Sequence, residues 1–189
     1  MNKKLDDVIK YRFGSKRGLL RTAQHYALRV AGKYKAYQEV DFSLVHRIVF
    51  VCSGNICRSA LAEVVAKNLG LKAESFGLHC RGGDPADPRA VAYADRIGLS
   101  LANHVTKNIN EYQQRRGDLL VGMEPKHAYS LNKIAGTYPQ ITLIGLWLPN
   151  PKPYIHDPFN TNIDFFNQCE KIVADATQLL AKRVPKHNA

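Results

Sequence analysis

Cysteines, long apolar runs and acidic side chains are all scarce in this chain. Its 189 residues include four cysteines, too few for a secreted disulfide scaffold, and none lies in a C-x-x-C pair that would suggest a zinc site. The longest apolar stretch, ITLIGLWLP at 141–149, is too short to span a bilayer. The first 20 residues contain no apolar run of signal-peptide length. Together these absences predict a protein of the reducing cytoplasm.

Acidic residues are outnumbered, and the imbalance is uneven along the chain. The sequence has 27 Lys and Arg against 16 Asp and Glu, a net charge of +11, and residues 1–46 carry ten basic and four acidic side chains. Such a charge suits anionic partners, namely phosphorylated proteins, nucleic acid or an acidic membrane surface, although a solvated basic surface also explains it. Because no nucleic-acid-binding motif or aromatic–basic platform is present, we do not expect a nucleic-acid partner.

From residue 47 onward, strand-like and helix-like patterns alternate. The strand-like runs are RIVFVC (47–52), LKAESFG (71–77), DLLVGME (118–124) and ITLIGLW (141–147). Helical patterns cover 59–70, 88–98 and 125–136, and a last helix is predicted from Thr161, with Thr161 and Asp164 as its capping box. This α/β alternation predicts a parallel sheet with helices on both faces. Ligands of such sheets bind beyond the carboxyl ends of the strands, and Cys52 ends the first strand.

The string VFVCSGNICRS that contains Cys52 combines a thiol with groups suited to binding an anion. Backbone N–H groups of a loop with C-x5-R spacing can surround one tetrahedral anion, and the start of the following helix adds positive potential. Asn55 tolerates a left-handed backbone, and Arg58 offers a planar fork to two oxygens. The same potential favours the thiolate of Cys52, the nucleophilic form, and Ser59 can donate a hydrogen bond to the sulfur.

A buried structural cysteine before an ordinary turn would also satisfy C-x5-R, which occurs often by chance. The fuller arrangement, a strand followed by C-x-G-N-x-C-R-S and a helix, is far more restrictive. The Gly-Lys-Ser/Thr ending of a nucleotide-binding P-loop is missing. The stretch therefore predicts an anion-binding loop with a nucleophile at its base.

The stretch VFVCSGNICRSALAE resembles the signature of the low-molecular-weight protein tyrosine phosphatases, bacterial members above all. The likeness continues in GGDPADPRAVAYADRIGLSLANH (82–104), RRGDLLVGMEPKHAYSL (115–131) and IHDPF (155–159), and covers about residues 47–184. It implies a four-stranded parallel sheet flanked by helices, with the phosphate-binding loop after the first strand. It also implies hydrolysis of phosphotyrosine and aryl phosphate monoesters without a metal or other cofactor. The predicted division is a catalytic domain at 47–189 after a basic helical extension at 1–46.

The resemblance also assigns roles to individual residues. It implies that Cys52 is the nucleophile that forms a cysteinyl-phosphate, that Arg58 binds the phosphoryl oxygens, and that Asp157 protonates the leaving phenolate and then activates water. The other predicted site residues are the phosphate-binding Ser53, Gly54, Asn55, Ile56 and Cys57, the supporting Ser59 and His104, and the pocket-wall residues Cys80 and Phe159. Cys57 matches a second loop cysteine that in relatives can bridge the nucleophile, which would make the enzyme redox-sensitive.

Four departures from the family pattern concern the surroundings of the loop. In one, the facing wall of the pocket, often aromatic or bulky, aligns with His79, Cys80 and Arg81. Ala60 replaces a common proline, Asn160 stands where a second aromatic is usual, and Ser53 takes a usually aliphatic position. The pocket is therefore expected to grip a phenyl ring less fully.

Two alternative functions stay open. A thioredoxin-coupled arsenate reductase shares this fold and loop but needs two further relay cysteines, and only Cys80 lies near the corresponding region. A non-catalytic phosphotyrosine-binding module would be expected to lack Cys52 or Asp157, and both are present. The expected partner is a tyrosine-phosphorylated protein, which the sequence does not identify, and the oligomeric state is open.

The resemblance does not explain residues 1–46. Apolar residues recur there at helical spacing over five turns, at Leu19, Leu20, Ala23, Tyr26, Ala27, Val30, Ala31, Tyr34 and Tyr37. One interpretation is that this stripe packs on the catalytic domain or on a second copy of it. The other is that a basic amphipathic helix rests on an anionic membrane surface or docks a partner. Neither supplies a catalytic group, so the chemistry is expected wholly within 47–184.

Overall fold

The computed structural model describes residues 3–136 and 139–185, which contain one four-stranded sheet and six α-helices. The strands are β1 (Arg47–Cys52), β2 (Ala73–Gly77), β3 (Asp118–Gly122) and β4 (Gln140–Leu143). The helices are α1 (Lys3–Phe13), α2 (Lys16–Val30), α3 (Arg58–Asn68), α4 (Pro88–Arg96), α5 (Pro125–Ile134) and α6 (Ile163–Ala181). The strand order is β2-β1-β3-β4 and every neighbouring pair is parallel, which confirms the predicted architecture.

After Arg47 and Asp118, their first residues, the central strands contain no polar side chain, because both faces of the sheet are covered. All residues of β1 and β3 are buried. Ile48 and Phe50 point into the core formed with α3 and α6, whereas Val49 and Val51 pack on the opposite face, near α5. The register pairs Cys52 with Gly77. The residues that follow β1, β2 and β3 therefore meet at one edge of the sheet, as predicted.

Two predicted boundaries were wrong. β4 stops at Leu143 and the chain continues as a 3-10 turn, Ile144–Trp147, where a strand to residue 147 was expected. The last helix is capped by Asn162, whose side-chain oxygen accepts a hydrogen bond from the Phe165 N–H at 2.8 Å. Thr161, the predicted cap, instead donates its hydroxyl to the Pro158 carbonyl oxygen at 2.7 Å.

The N-terminal extension is a helical hairpin rather than one long helix. α1 was not predicted, and α2 ends at Val30, before Gly32 turns the chain at a φ of 79°. The hairpin packs on the rest of the chain through α1 against α6 and through the buried Gly18 of α2. No helix in the described ranges is long and apolar enough to cross a bilayer.

Candidate active site

The loop between β1 and α3 surrounds the Cys52 sulfur with donors. Cys52 is buried, and its Sγ lies 3.0 Å from the Ser59 Oγ and 3.2 Å from the backbone nitrogen of Asn55. The Asn55 N–H donates to the sulfur, and the Ser59 hydroxyl is placed to do the same. α3 begins at Arg58, so its N-terminal N–H groups and their positive potential lie at the same loop. Both features direct N–H and O–H donors at the sulfur.

Asn55 holds the loop in shape. It is the one non-glycine residue of the described ranges with a positive φ, 57°. Its side-chain amide donates to the hydroxyls of Ser59 (3.0 Å) and Ser75 (2.7 Å). His104 Nε2 lies 2.7 Å from the Asn55 carbonyl oxygen. Because a carbonyl oxygen only accepts, Nε2 of His104 carries the proton. Burial lowers the pKa of His104, so the neutral imidazole makes this bond.

Arg58 is fully buried and is held by partners from two other parts of the chain. Its Nη2 lies 2.7 Å from Asp157 Oδ2, while Nη1 donates to the Ile155 carbonyl oxygen at 3.0 Å and lies 3.4 Å from Glu124 Oε1. Burial alone would lower the pKa of Arg58, but Asp157, Cys52 and Glu124 raise it, so the guanidinium stays charged. Its Nε–H has no hydrogen-bond partner among the described residues and is an available donor.

A cavity of about 220 Å³ opens above the loop and collects most of the predicted site residues. Its lining consists of Cys52, Ser53, Gly54, Ile56, Cys57, Arg58, His79, Asp157 and Phe159. The apolar side chains of Ile56 and Phe159 form walls, and half of the Phe159 surface is exposed. The predicted wall residue Cys80 is outside this set, because its Sγ turns toward the Lys107 carbonyl oxygen, 3.3 Å away. His79 takes its place.

Two residues that the sequence analysis did not select, Glu124 and His127, lie beside the loop. The buried carboxylate of Glu124 also approaches Lys126 Nζ (3.2 Å) and His127 Nε2 (3.3 Å). The Met123 N–H donates to His127 Nδ1, so Nε2 carries the proton of a neutral ring that also lies 3.2 Å from the Ser53 hydroxyl. Burial keeps the pKa of His127 well below its usual value. Their position directly after β3, at the carboxyl edge of the sheet, was the available signal.

Cys57, the second loop cysteine, is a buried free thiol. Burial raises the pKa of Cys57, and the carboxyl groups of Glu170 and Asp87 raise it further. Cys57 is therefore protonated at neutral pH.

Comparison with known proteins places this geometry in a family. The family described as low molecular weight phosphotyrosine protein phosphatase matches residues 47–189. The low molecular weight protein-tyrosine-phosphatase Etp of Escherichia coli is 34% identical over 142 residues, 74% of this chain and 95% of that protein. A protein-arginine-phosphatase of Bacillus subtilis is 27% identical over 146 residues, 74% of this chain and 97% of that protein.

Solved structures agree. The tyrosine phosphatase AmsI of Erwinia amylovora superposes with a TM-score of 0.65 at 29% identity, over 75% of this chain and 94% of that one. The chain therefore belongs to the low molecular weight phosphotyrosine protein phosphatase family, which confirms both the family and the enzyme class predicted from its sequence.

Proposed function

We propose that this protein hydrolyses phosphotyrosine and other aryl phosphate monoesters through a cysteinyl-phosphate intermediate. The observation that carries the proposal is the convergence of the Cys52 sulfur, the Arg58 guanidinium and the Asp157 carboxyl group on one cavity. A nucleophile, an anion-binding fork and an acid are the three groups that this reaction needs.

In the first step, the Cys52 thiolate attacks phosphorus. An S–P bond forms, the bond from phosphorus to the phenolic oxygen breaks, and Asp157 gives its proton to that oxygen. In the second step, the Asp157 carboxylate takes a proton from water while the water oxygen attacks phosphorus. The S–P bond then breaks, which releases inorganic phosphate and restores the thiolate.

Arg58 binds the transferred group in both steps. Its Nε–H has no partner and its Nη2 contacts Asp157, and the bond from Nη2 to Asp157 is replaced by one to a phosphoryl oxygen when substrate binds. This exchange would release Asp157 to face the leaving oxygen. Backbone N–H groups of residues 53–58 bind the remaining oxygens, with Ser59 and His104 supporting the loop.

The pocket walls favour an aryl group over the guanidinium of phosphoarginine. Ile56 and Phe159 present apolar surface that can cover a phenyl ring, whereas a guanidinium requires hydrogen-bond acceptors along its plane. Asn160 supplies no second aromatic wall, so the ring would be covered less completely.

Steady-state kinetics on matched peptides test this proposal. We expect a higher kcat/KM for a phosphotyrosine peptide than for the same peptide with phosphoarginine. Faster release from phosphoarginine would overturn the substrate assignment. Arsenate reduction with thioredoxin, run in parallel, should be undetectable, because that reaction needs two further relay cysteines. Beyond Cys52, Cys57 and Cys80 the sequence has only Cys169, which is buried on α6. A binding module would retain phosphopeptide without turnover.

We also propose that residues 47–189 form the catalytic domain, that residues 1–46 are an added extension, and that the protein acts in the cytoplasm on a tyrosine-phosphorylated protein. The span of the family match supports the division. Four free cysteines, one of which is the proposed nucleophile, fit a reducing compartment.

We further propose that the outer face of α2 docks on an anionic membrane surface. Much of the predicted apolar stripe is exposed: Leu20 by 70%, Val30 by 68% and Tyr26 by 58%. Residues 8–38 contain eight Lys and Arg and no Asp or Glu. Apolar side chains among basic ones suit an anionic lipid surface, where each cation contributes about 1 kcal/mol. A second copy of the chain would instead bring like charges together.

Vesicle sedimentation of the full chain tests this docking. The protein should pellet with phosphatidylcholine vesicles that contain an anionic lipid, but not with phosphatidylcholine alone, and high salt should release it. The double variant Leu20→Ser, Val30→Ser should bind several-fold more weakly. Ile134→Ser, which changes a half-exposed apolar residue on α5, serves as the control. Failure to pellet at low salt, or a dimer that only the double variant dissociates, would overturn membrane docking.

A further inference from the structure

The N-terminal hairpin touches the segment that carries Asp157. The Ser15 hydroxyl lies 3.2 Å from His156 Nε2, and the other ring nitrogen of His156 lies 2.5 Å from the Tyr154 hydroxyl. The imidazole of His25, on α2, stacks on the Tyr154 ring with 5.2 Å between centroids. Two residues just before the acid, Tyr154 and His156, therefore contact the N-terminal hairpin, which lies outside the family match.

The N-terminal hairpin and His156 approach each other closely at two glycines. The hairpin crosses this segment at glycines: a Cβ on Gly14 would lie 2.9 Å from His156 Cδ2, and one on Gly18 would lie 3.1 Å from the same atom. Gly14 also has a φ of 73°, which other residues rarely adopt. A cavity of about 420 Å³ separates the remaining surfaces of the hairpin and of residues 150–156. The segment is thus held at a few polar and ring contacts rather than by a continuous apolar interface.

The hairpin also approaches Glu124, which contacts Arg58. Arg21, on α2, interacts with Tyr154 and offsets part of the rise that burial causes in the pKa of Tyr154, and Arg21 Nη1 lies 4.0 Å from Glu124 Oε2. The other oxygen of Glu124 faces Arg58. On the far side of the segment, Arg58 binds the carbonyl oxygen of Ile155. The residues before Asp157 therefore lie between Arg58 and the hairpin, with contacts to both.

The protonation states of His156 and His25 suit the contacts that these rings make. Burial lowers the pKa of His156 and of His25, so both rings are neutral at neutral pH. A neutral His156 has one donor and one acceptor nitrogen, which matches two hydroxyl partners, Ser15 and Tyr154. The Ser15 oxygen also accepts from the Gly18 N–H at 2.9 Å, as the N-cap of α2. The side chain of Ser15 therefore connects the start of α2 to His156, the residue before Asp157.

We propose that Ser15, Arg21 and His25 are positioning residues for the general acid: they hold Tyr154 and His156, and through them set where Asp157 meets the leaving group. The inference rests on the proposed function. It also differs from the expectation that the chemistry lies wholly within 47–184, since a part of the acid's placement would come from the extension.

Leaving-group dependence separates this role from a structural one. Phenyl phosphate needs protonation of its leaving oxygen much more than 4-nitrophenyl phosphate does, so a misplaced acid slows the first ester selectively. General acid–base catalysis contributes typically about 100-fold to 10,000-fold, and a displaced rather than removed acid should lose a fraction of that. In the full chain, we expect Ser15→Gly and Arg21→Gln each to lower kcat on phenyl phosphate by about 5–30-fold and on 4-nitrophenyl phosphate by about 2-fold or less.

The variants are chosen to isolate that effect. Glycine caps helices nearly as well as serine, so Ser15→Gly removes the hydroxyl with little loss of helix stability, and Ser15→Thr should restore the rate. Arg17→Gln makes the same change in charge as Arg21→Gln, one turn earlier on an exposed position of α2, and should match the wild type. Inhibition by vanadate, which needs only the loop and Arg58, should stay within about 2-fold in all variants.

The outcomes distinguish the proposal from the function on which it rests. If the wild type hydrolyses neither ester, the proposed function fails and this proposal with it. If the wild type is active and Asp157→Asn shows the leaving-group dependence, equal losses on both esters in the Ser15 and Arg21 variants overturn the positioning role. Rates equal to those of Arg17→Gln overturn it as well. Unfolding temperatures measured for every variant identify losses that come from destabilisation, which affect both esters equally.

Discussion

Glu170 is a buried carboxyl group on α6 that the proposed mechanism does not use. Both of its side-chain oxygens are buried without a hydrogen-bond partner among the described residues. Burial above all, with Asp87 and Asp157 adding to it and Arg58 opposing it, raises the pKa of Glu170 from an ordinary 4.5 to about 8. Glu170 is therefore protonated in the folded protein at neutral pH, whereas it is ionised in the unfolded chain.

The sign of the pH effect follows from this difference. Because the folded state binds the proton more tightly, the contribution of Glu170 to stability is fully present below pH 4.5 and is lost as the pH rises to about 8. At about 1.36 kcal/mol per pKa unit, the whole window corresponds to roughly 5 kcal/mol. Between about pH 5 and about pH 7.5 the loss is about 3 kcal/mol, a large part of the stability of an ordinary domain.

Urea unfolding of the wild type and of Glu170→Gln at several pH values and constant ionic strength measures this effect. The free energy of unfolding of the variant, relative to the wild type, should rise by about 3 kcal/mol between about pH 5 and about pH 7.5. The contributions of the other titrating groups to the free energy of unfolding cancel in this difference. Glu170→Leu should show the same pH slope, although its absolute stability will differ because no amide is buried. A difference that stays flat with pH would refute the argument, since Glu170 would then titrate alike in both states.

Three further predictions concern the loop and the acid. Cys52→Ser should abolish turnover while vanadate still binds by calorimetry, because the loop N–H groups and Arg58 remain; appreciable residual activity would contradict the nucleophile. Asp157→Asn should slow phenyl phosphate by about 100-fold or more but 4-nitrophenyl phosphate much less, and equal losses would argue against an acid. Hydrogen peroxide should convert the Cys52 thiolate to a sulfenic acid, from which the Cys57 thiol displaces water to form a disulfide that a dithiol reduces. Peptide mass spectrometry that finds Cys52 bridged elsewhere, or a Cys57→Ser variant that recovers fully, would count against that pairing.

The parts of the site that are continuous along the chain could be predicted from the sequence. Cys52, Asn55, Arg58 and Ser59 follow one another at the end of a strand, so their spacing alone places them in one loop. The alternation of strand-like and helix-like patterns likewise predicted the parallel sheet, because residues buried on both faces must be apolar throughout. Boundaries were less well determined where neighbouring residues offered equivalent caps, as Thr161 and Asn162 did.

Contacts between distant segments were decided by the tertiary structure. The sequence does not say that Glu124 faces Arg58, or that Cys80 turns away from the pocket, because both depend on how loops pack at the sheet edge. The same holds for the N-terminal hairpin. Helical periodicity indicated an apolar stripe, which lies on α2 as far as Val30, but the contacts of the hairpin with the rest of the chain are made by Ser15, Gly18 and Arg21. These residues contribute hydrogen bonds and close backbone approach rather than apolar area, and such contacts leave no periodic signal in a sequence.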